Sequence, residues 1–152
     1  MILSLDYLFI GQKGKIRKLE LADESSKNRL LAMGIIPGKV VELVHISPFG
    51  DPLVFKVEEK KVVLRKSEAS KIFVEVSYKV YNLYNTEKGS YEVISLMGGK
   101  KFLQDLAKIG LNKGSKFDLI DKKANKIIIM IDGKKYIMGR GRASKIYCKK
   151  VS

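Results

Sequence analysis

Leu30-Leu-Ala-Met-Gly34-Ile-Ile-Pro-Gly38-Lys-Val-Val-Glu-Leu-Val44, set beside Leu106-Ala-Lys-Ile-Gly110-Leu-Asn-Lys-Gly114-Ser-Lys-Phe-Asp-Leu-Ile120, decides how this chain is read. Both glycines of the first stretch recur 76 residues later. Downstream, Ala69-Ser-Lys-Ile72 recurs as Ala143-Ser-Lys-Ile146, at an offset of 74. Upstream, Gly14-Lys-Ile-Arg-Lys-Leu19 resembles Gly89-Ser-Tyr-Glu-Val-Ile94, at an offset of 75. A fixed order of features at a drifting offset is the mark of an internal repeat with loop-length changes. The reading is two copies of one small domain, residues 1–76 and 77–152.

Each copy opens with a short strand, Lys15–Leu21 and Tyr91–Leu96. A helix follows. In the first copy it starts among Asp23 to Ser26, all good N-caps. In the second, Phe102, Leu106 and Ile109 fall on one helical face. Gly34 and Gly110 stop these helices, because a left-handed C-terminal residue costs glycine least. Pro37-Gly38 then suits a turn whose second central residue has positive φ, and Gly114 keeps that place in the second copy. Next come the strands Val40–Ile46 and Leu53–Glu58, matched by Phe117–Ile120 and Lys126–Ile131. Asp132-Gly133 is a two-residue hairpin signal leading to Tyr136–Met138, with its counterpart placed at Glu59-Lys60. A helical turn, capped in the first copy by Ser67, precedes the last strands Ile72–Val76 and Ile146–Lys149. The result is a mainly β chain. It is read as two tandem small barrels of about five strands, each with one short helix and a helical turn.

The 152 residues carry 30 Lys and Arg against 16 Asp and Glu, a net +14. Residues 1–76 hold 13 basic and 10 acidic side chains, and residues 77–152 hold 17 and 6. A second copy of net +11 favours anionic partners. Its densest cluster supplies the anion-contact candidates Lys134, Lys135, Arg140, Arg142 and Lys145. No apolar run reaches the roughly 18 residues of a membrane helix. The start, Met1-Ile-Leu-Ser-Leu-Asp6, lacks the basic region of a secretory signal, and a cytoplasmic location is expected.

The stretches Arg29–Val44, Pro48-Phe-Gly-Asp-Pro52-Leu53 and Val63-Leu-Arg-Lys-Ser-Glu-Ala69 resemble the FeoA domain of bacterial ferrous iron transport. The second copy resembles a diverged member. It keeps Gly110, Gly114, Asp132-Gly133 and Ala143, has Asp105 in place of Arg29, and lacks the Pro48–Pro52 turn. The resemblance implies an SH3-like barrel and a cytoplasmic accessory protein without chemistry of its own. It implies a partner, the transporter FeoB, which would hold the protein peripherally at the inner membrane face. It also carries an association with transition metals. Partner contact is expected at the helix end, Leu30 and Met33, and at the loop of Pro48, Phe49, Gly50, Asp51 and Pro52. Gly34, Pro37, Gly38, Gly110, Gly114 and Gly133 are read as structural turns.

One histidine, His45, and one cysteine, Cys148, exclude a multi-ligand His/Cys metal motif and leave no plausible catalytic pair. Cys148 aligns with Val74 and is read as core, His45 as exposed. No metal site and no cofactor are expected. Gly34-Ile-Ile-Pro-Gly38-Lys39 is not a phosphate loop, because it is one residue short and precedes a strand. Tyr78, Tyr81, Tyr84 and Tyr91 are read as glue between the copies. The alternative functions are a nucleic-acid-binding barrel, with those tyrosines stacking on bases, and a homo-oligomeric adaptor joined through exposed strand edges.

Overall fold

A computed structural model describes residues 1–151. The chain divides into two compact units, Met1–Ser77 and Tyr78–Ser152. The first contains β1 (Ile2–Ser4), β2 (Lys13–Leu19), α1 (Glu24–Ala32), β3 (Val40–Ile46), β4 (Leu53–Val57), β5 (Lys60–Leu64), α2 (Lys66–Ala69) and β6 (Ile72–Glu75). The second contains β7 (Tyr81–Asn82), β8 (Gly89–Leu96), α3 (Lys100–Lys108), β9 (Lys116–Lys123), β10 (Lys126–Ile131), β11 (Lys134–Gly139), α4 (Arg140–Ala143) and β12 (Ile146–Lys150). Each unit forms one six-stranded antiparallel sheet, in the orders β1-β6-β2-β3-β4-β5 and β7-β12-β8-β9-β10-β11.

The sixth strands, β1 and β7, are absent from the sequence reading. At three and two residues they show no periodicity, and each exists because the last strand of its unit offers an open edge. A 3-10 turn follows each, Leu5–Tyr7 and Leu83–Asn85, and buries Leu5 and Leu83.

The helix and turn signals work as the residues dictate. The Asp23 carboxylate accepts the Ser25 N–H and the Ser26 hydroxyl at the start of α1. The Ser26 hydroxyl first, then the Ser25 amide, hold its pKa below the usual carboxylate value. Gly34, Gly38, Gly110 and Gly114 all have φ between +87° and +101°. The Lys39 N–H donates to the Ile36 carbonyl across Pro37-Gly38, and Ser115 to Asn112 across Lys113-Gly114. Asp132 and Gly133 both take positive φ, as the two-residue hairpin requires. The matching turn in the first unit is Glu58-Glu59, one residue earlier than read, with Glu58 at φ 57°. Ser67 does not cap α2. It lies within the helix, while Arg65 stands at the cap position and its N–H donates to the Glu68 carboxylate.

Register corrects the upstream alignment. The Ile16 N–H donates to Lys39 O, and the Ile16 carbonyl accepts from Gly38. Val93 does the same with Ser115 and Gly114. Ile16 pairs with Val74, and Val93 with Cys148. The true offset here is therefore 77, and Gly14 corresponds to Tyr91 rather than Gly89. The two units share even their irregularities. β2 and β8 bulge at Arg17 and Ile94, and β3 and β9 bulge at Val44 and Ile120.

Each unit has its own apolar core. Ile16, Leu30, Ile35, Leu43, Phe55, Leu64 and Val74 anchor the first. Tyr91, Leu106, Leu111, Ile129, Ile146 and Cys148 anchor the second. Cys148 is fully buried, and its thiol is pushed up to about 12 by desolvation. His45 is exposed. Tyr91 belongs to the second unit's own core. Its ring stacks on Phe117 at 6.0 Å and meets the edge of Tyr81 at 6.2 Å.

Candidate functional site

The loop joining β3 to β4 is Ser47-Pro-Phe-Gly-Asp-Pro52. The Gly50 N–H donates to Ser47 O at 2.8 Å, and the Ser47 N–H to Pro52 O at 3.2 Å, so the loop is closed on itself. Asp51 then fastens it to the neighbouring helical turn, because its carboxylate accepts the N–H of Lys66, the first residue of α2, at 2.9 Å. With its base held on both sides, the loop presents Phe49 to solvent at 98% exposure. A large apolar side chain in that state has no role in this unit's core.

α1 approaches the same place. Its Arg29 forms an ion pair with Glu68 of α2. Arg29, Asp51, Pro52, Val63, Arg65, Ser67 and Glu68 line an open groove of about 760 Å³. Val63 is 53% exposed on the edge strand β5 and adds apolar surface to a charged rim.

The partner-contact candidates thus separate. Pro48, Phe49, Asp51 and Pro52 are exposed around this corner, and Gly50 supplies the positive φ that turns it. Leu30 is corrected: it is fully buried in the first core and has no surface to offer. It follows Arg29 on α1, so the helix turns the arginine outward and the leucine in. Met33 is half-buried against that core and takes a contact from the Arg29 guanidinium at its sulfur. The sequence reading missed Arg65, Ser67, Glu68 and Val63. Their only local signal is an alternating strand end followed by a Lys-Ser-Glu turn.

The anion-contact candidates do not form one cluster. Lys134 and Lys135 open β11, while Arg140, Arg142 and Lys145 lie at or beyond its far end. Arg142 is already matched, to Asp105 of α3 at 3.3 Å. The Arg140 guanidinium lies over Tyr84 at 5.5 Å, and the Lys145 ammonium over Phe102 at 5.5 Å. Among the described residues, no group of three or more His, Cys, Asp or Glu side chains comes together to hold a metal.

The FeoA domain family matches this chain twice, at residues 3–76 and 82–150. A Porphyromonas gingivalis protein named as a fusion of Fe(2+) transport protein A with the Fe(2+) transporter FeoB is 36% identical over 50 residues. That match covers 33% of this chain and 6% of the fusion. The solved iron(II) transport protein A from Clostridium thermocellum is 33% identical, covering 99% of this chain and 89% of that one, with a TM-score of 0.48. FeoA of Stenotrophomonas maltophilia, complexed with zinc and described as a procaryotic SH3 domain protein, is 27% identical. It covers 49% of this chain and 89% of its own, with a TM-score of 0.43.

Proposed function

The chain belongs to the FeoA family, and we propose that it acts as a non-enzymatic accessory protein of ferrous iron uptake by binding a FeoB-type transporter on its cytoplasmic side. The observation that carries this reading is the pair of FeoA-domain matches, which together span nearly the whole chain. The relative in which FeoA and FeoB are one polypeptide supports the choice of partner. The only cysteine is buried with its thiol protonated at neutral pH, so it offers no thiolate nucleophile.

The contact face proposed is the corner of Phe49 and the Arg29–Glu68 groove. A fully exposed aromatic beside a concave surface is the usual geometry of a binding anchor, and charged residues at its rim give orientation. Asp51 and the closed loop hold Phe49 in place before binding, which lowers the ordering cost of association.

Titration calorimetry of this protein against the cytoplasmic part of FeoB, with and without guanine nucleotide, tests the reading. Saturable binding is expected, and Phe49→Ala should weaken it by at least roughly tenfold. No heat in any nucleotide state overturns the transporter reading. Binding unaffected by Phe49→Ala overturns only the choice of face.

A further inference from the structure

We propose that the outer face of β9, β10 and β11 is a docking surface for an anionic phospholipid bilayer. Strand alternation sends Ile127, Ile129 and Ile131 into the core and turns Lys126, Ile128 and Met130 outward. Cross-strand pairing then builds the face row by row. Ile128 stands between Asp121 and Ile137, Met130 between Asp118 and Lys135, and Lys126 between Lys123 and Gly139. The centre is apolar, with Ile137 66% exposed; Lys123 and Lys135 hold two of the corners, Lys126 the middle of one edge, and Gly139 and Asp118 the other corners.

The acids of this face have partners. Asp121 lies 3.8 Å from Lys88 and 3.9 Å from Lys123, and Asp118 accepts the Ser90 hydroxyl at 2.6 Å. Lys123, which already has Asp121 beside it, and Lys126 are direct partners across the ladder, and two like charges placed opposite each other favour a further anion. In the first unit the matching positions are Ser47 and Pro52, so this device is confined to the second unit.

An outward-facing isoleucine pair, Ile128 and Ile137, on a face that also carries Lys123, Lys126 and Lys135 fits a bilayer better than a nucleic acid. The pair gains by entering the headgroup layer while the ammonium groups meet lipid phosphates. It gains nothing from a sugar–phosphate backbone. Tyr84, the aromatic beside Arg140, is held by Arg140 and Lys122 over its ring and by a hydroxyl contact to Asn125, so it is not poised to stack on a base. The inference goes beyond transporter binding and is tested without the transporter.

The test is co-sedimentation of the intact protein with vesicles of phosphatidylcholine, and of phosphatidylcholine mixed with phosphatidylglycerol, at low and physiological salt. Binding is expected only to the mixed vesicles, and it should fall steeply as salt rises. The triple variant Lys123→Gln, Lys126→Gln, Lys135→Gln should lose roughly a hundredfold in affinity, from about fivefold per lysine. Ile137→Ser should weaken binding without changing its salt dependence. Lys100→Gln, Lys101→Gln, Lys108→Gln, which alters net charge equally on α3, should retain binding. Any of three results overturns the proposal: no preference for the anionic vesicles, equal loss in the α3 variant, or tighter binding to an oligonucleotide at the same salt. The triple variant replaces exposed lysines outside the core, so its fold is expected to survive, and its circular dichroism confirms that the loss is one of binding.

Discussion

The two units carry the same backbone plan and have solved the same packing problems with different residues. The core position opposite the last strand is the plainest case. In the first unit it is Gly14, where an added Cβ would lie 2.8 Å from Cγ2 of Val74. In the second it is Tyr91, fully buried, in a core where the counterpart of Val74 is Cys148. Val74 leaves no room for a side chain at Gly14, whereas the second core has room for a whole tyrosine at that place. The hydroxyl of that tyrosine is satisfied by the Glu87 carbonyl at 2.6 Å and the Thr86 hydroxyl at 2.8 Å. The glycine leaves a shallow surface groove of about 330 Å³ lined by Val40 and Val76 among others.

The bond between the long and short helices shows the same logic in charge. In the first unit Arg29 of α1 meets Glu68 of α2. In the second, Asp105 of α3 meets Arg142 of α4. The pair is kept and its polarity reversed. What the fold requires there is opposite charge, and the sign is left to whatever each corner contacts. The first corner thereby keeps a glutamate, Glu68, on the helical turn that lines the groove, and the second gains an arginine in a unit already rich in lysine.

Breaking the tyrosine has the largest expected effect. Tyr91→Ala should cost about 3–5 kcal/mol of the second unit's stability. Amide hydrogen exchange should lose protection in β8 to β12 while β2 to β6 keep theirs. Equal loss in both units would show that the cores unfold together. Gly14→Ala should cost the first unit about 1–3 kcal/mol through overpacking, measured by urea denaturation. Val74→Cys should recover part of it in the double variant, because it removes one of the two γ branches that crowd the added Cβ while the Cβ of residue 74 stays 2.9 Å away. An additive cycle would mean the contact to Val74 is not the cause.

The cysteine also predicts a pH dependence with a definite sign. Its folded pKa, about 12, lies above its ordinary value of 9.0. The stabilisation is therefore fully present below about pH 9 and is lost as pH rises from 9.0 towards 12. The slope should approach about 1.4 kcal/mol per pH unit. Cys148→Ala removes that component, so the difference between the two proteins isolates it from tyrosine and lysine titration. The smallest effect is expected of the helix ion pairs. Both are partly exposed, and a double-mutant cycle on Arg29 and Glu68 should give about 0.2–1 kcal/mol. Arg29→Glu with Glu68→Arg should restore the coupling, since the second unit already uses that polarity. A swapped pair no better than either single variant would break the parallel.

Much of the fold was legible along the chain because its signals are local. Asp23 announces α1, Gly34 and Gly110 end the long helices, and Asp132-Gly133 makes a hairpin. Each depends only on residues within a turn of itself. The Pro48–Pro52 loop could be picked out, but its meaning depends on Asp51 reaching Lys66, 15 residues on. Leu30 and Arg29 are adjacent in sequence and were not separable as buried and exposed until the helix met its core.

A mainly β, twice-repeated chain, its turn points, and a second half far more basic than the first can all be read from the residues alone. Composition, periodicity and glycine spacing carry that information without knowledge of contacts. The folded chain was needed for the register that makes Tyr91 the counterpart of Gly14, and for the edge strands β1 and β7. It also placed Phe49 on the loop beside the Arg29–Glu68 groove and brought Lys123, Lys126 and Lys135 onto the same sheet face as Ile137. Those features depend on which strands lie side by side, and strand pairing is a relation between distant segments that no local pattern encodes.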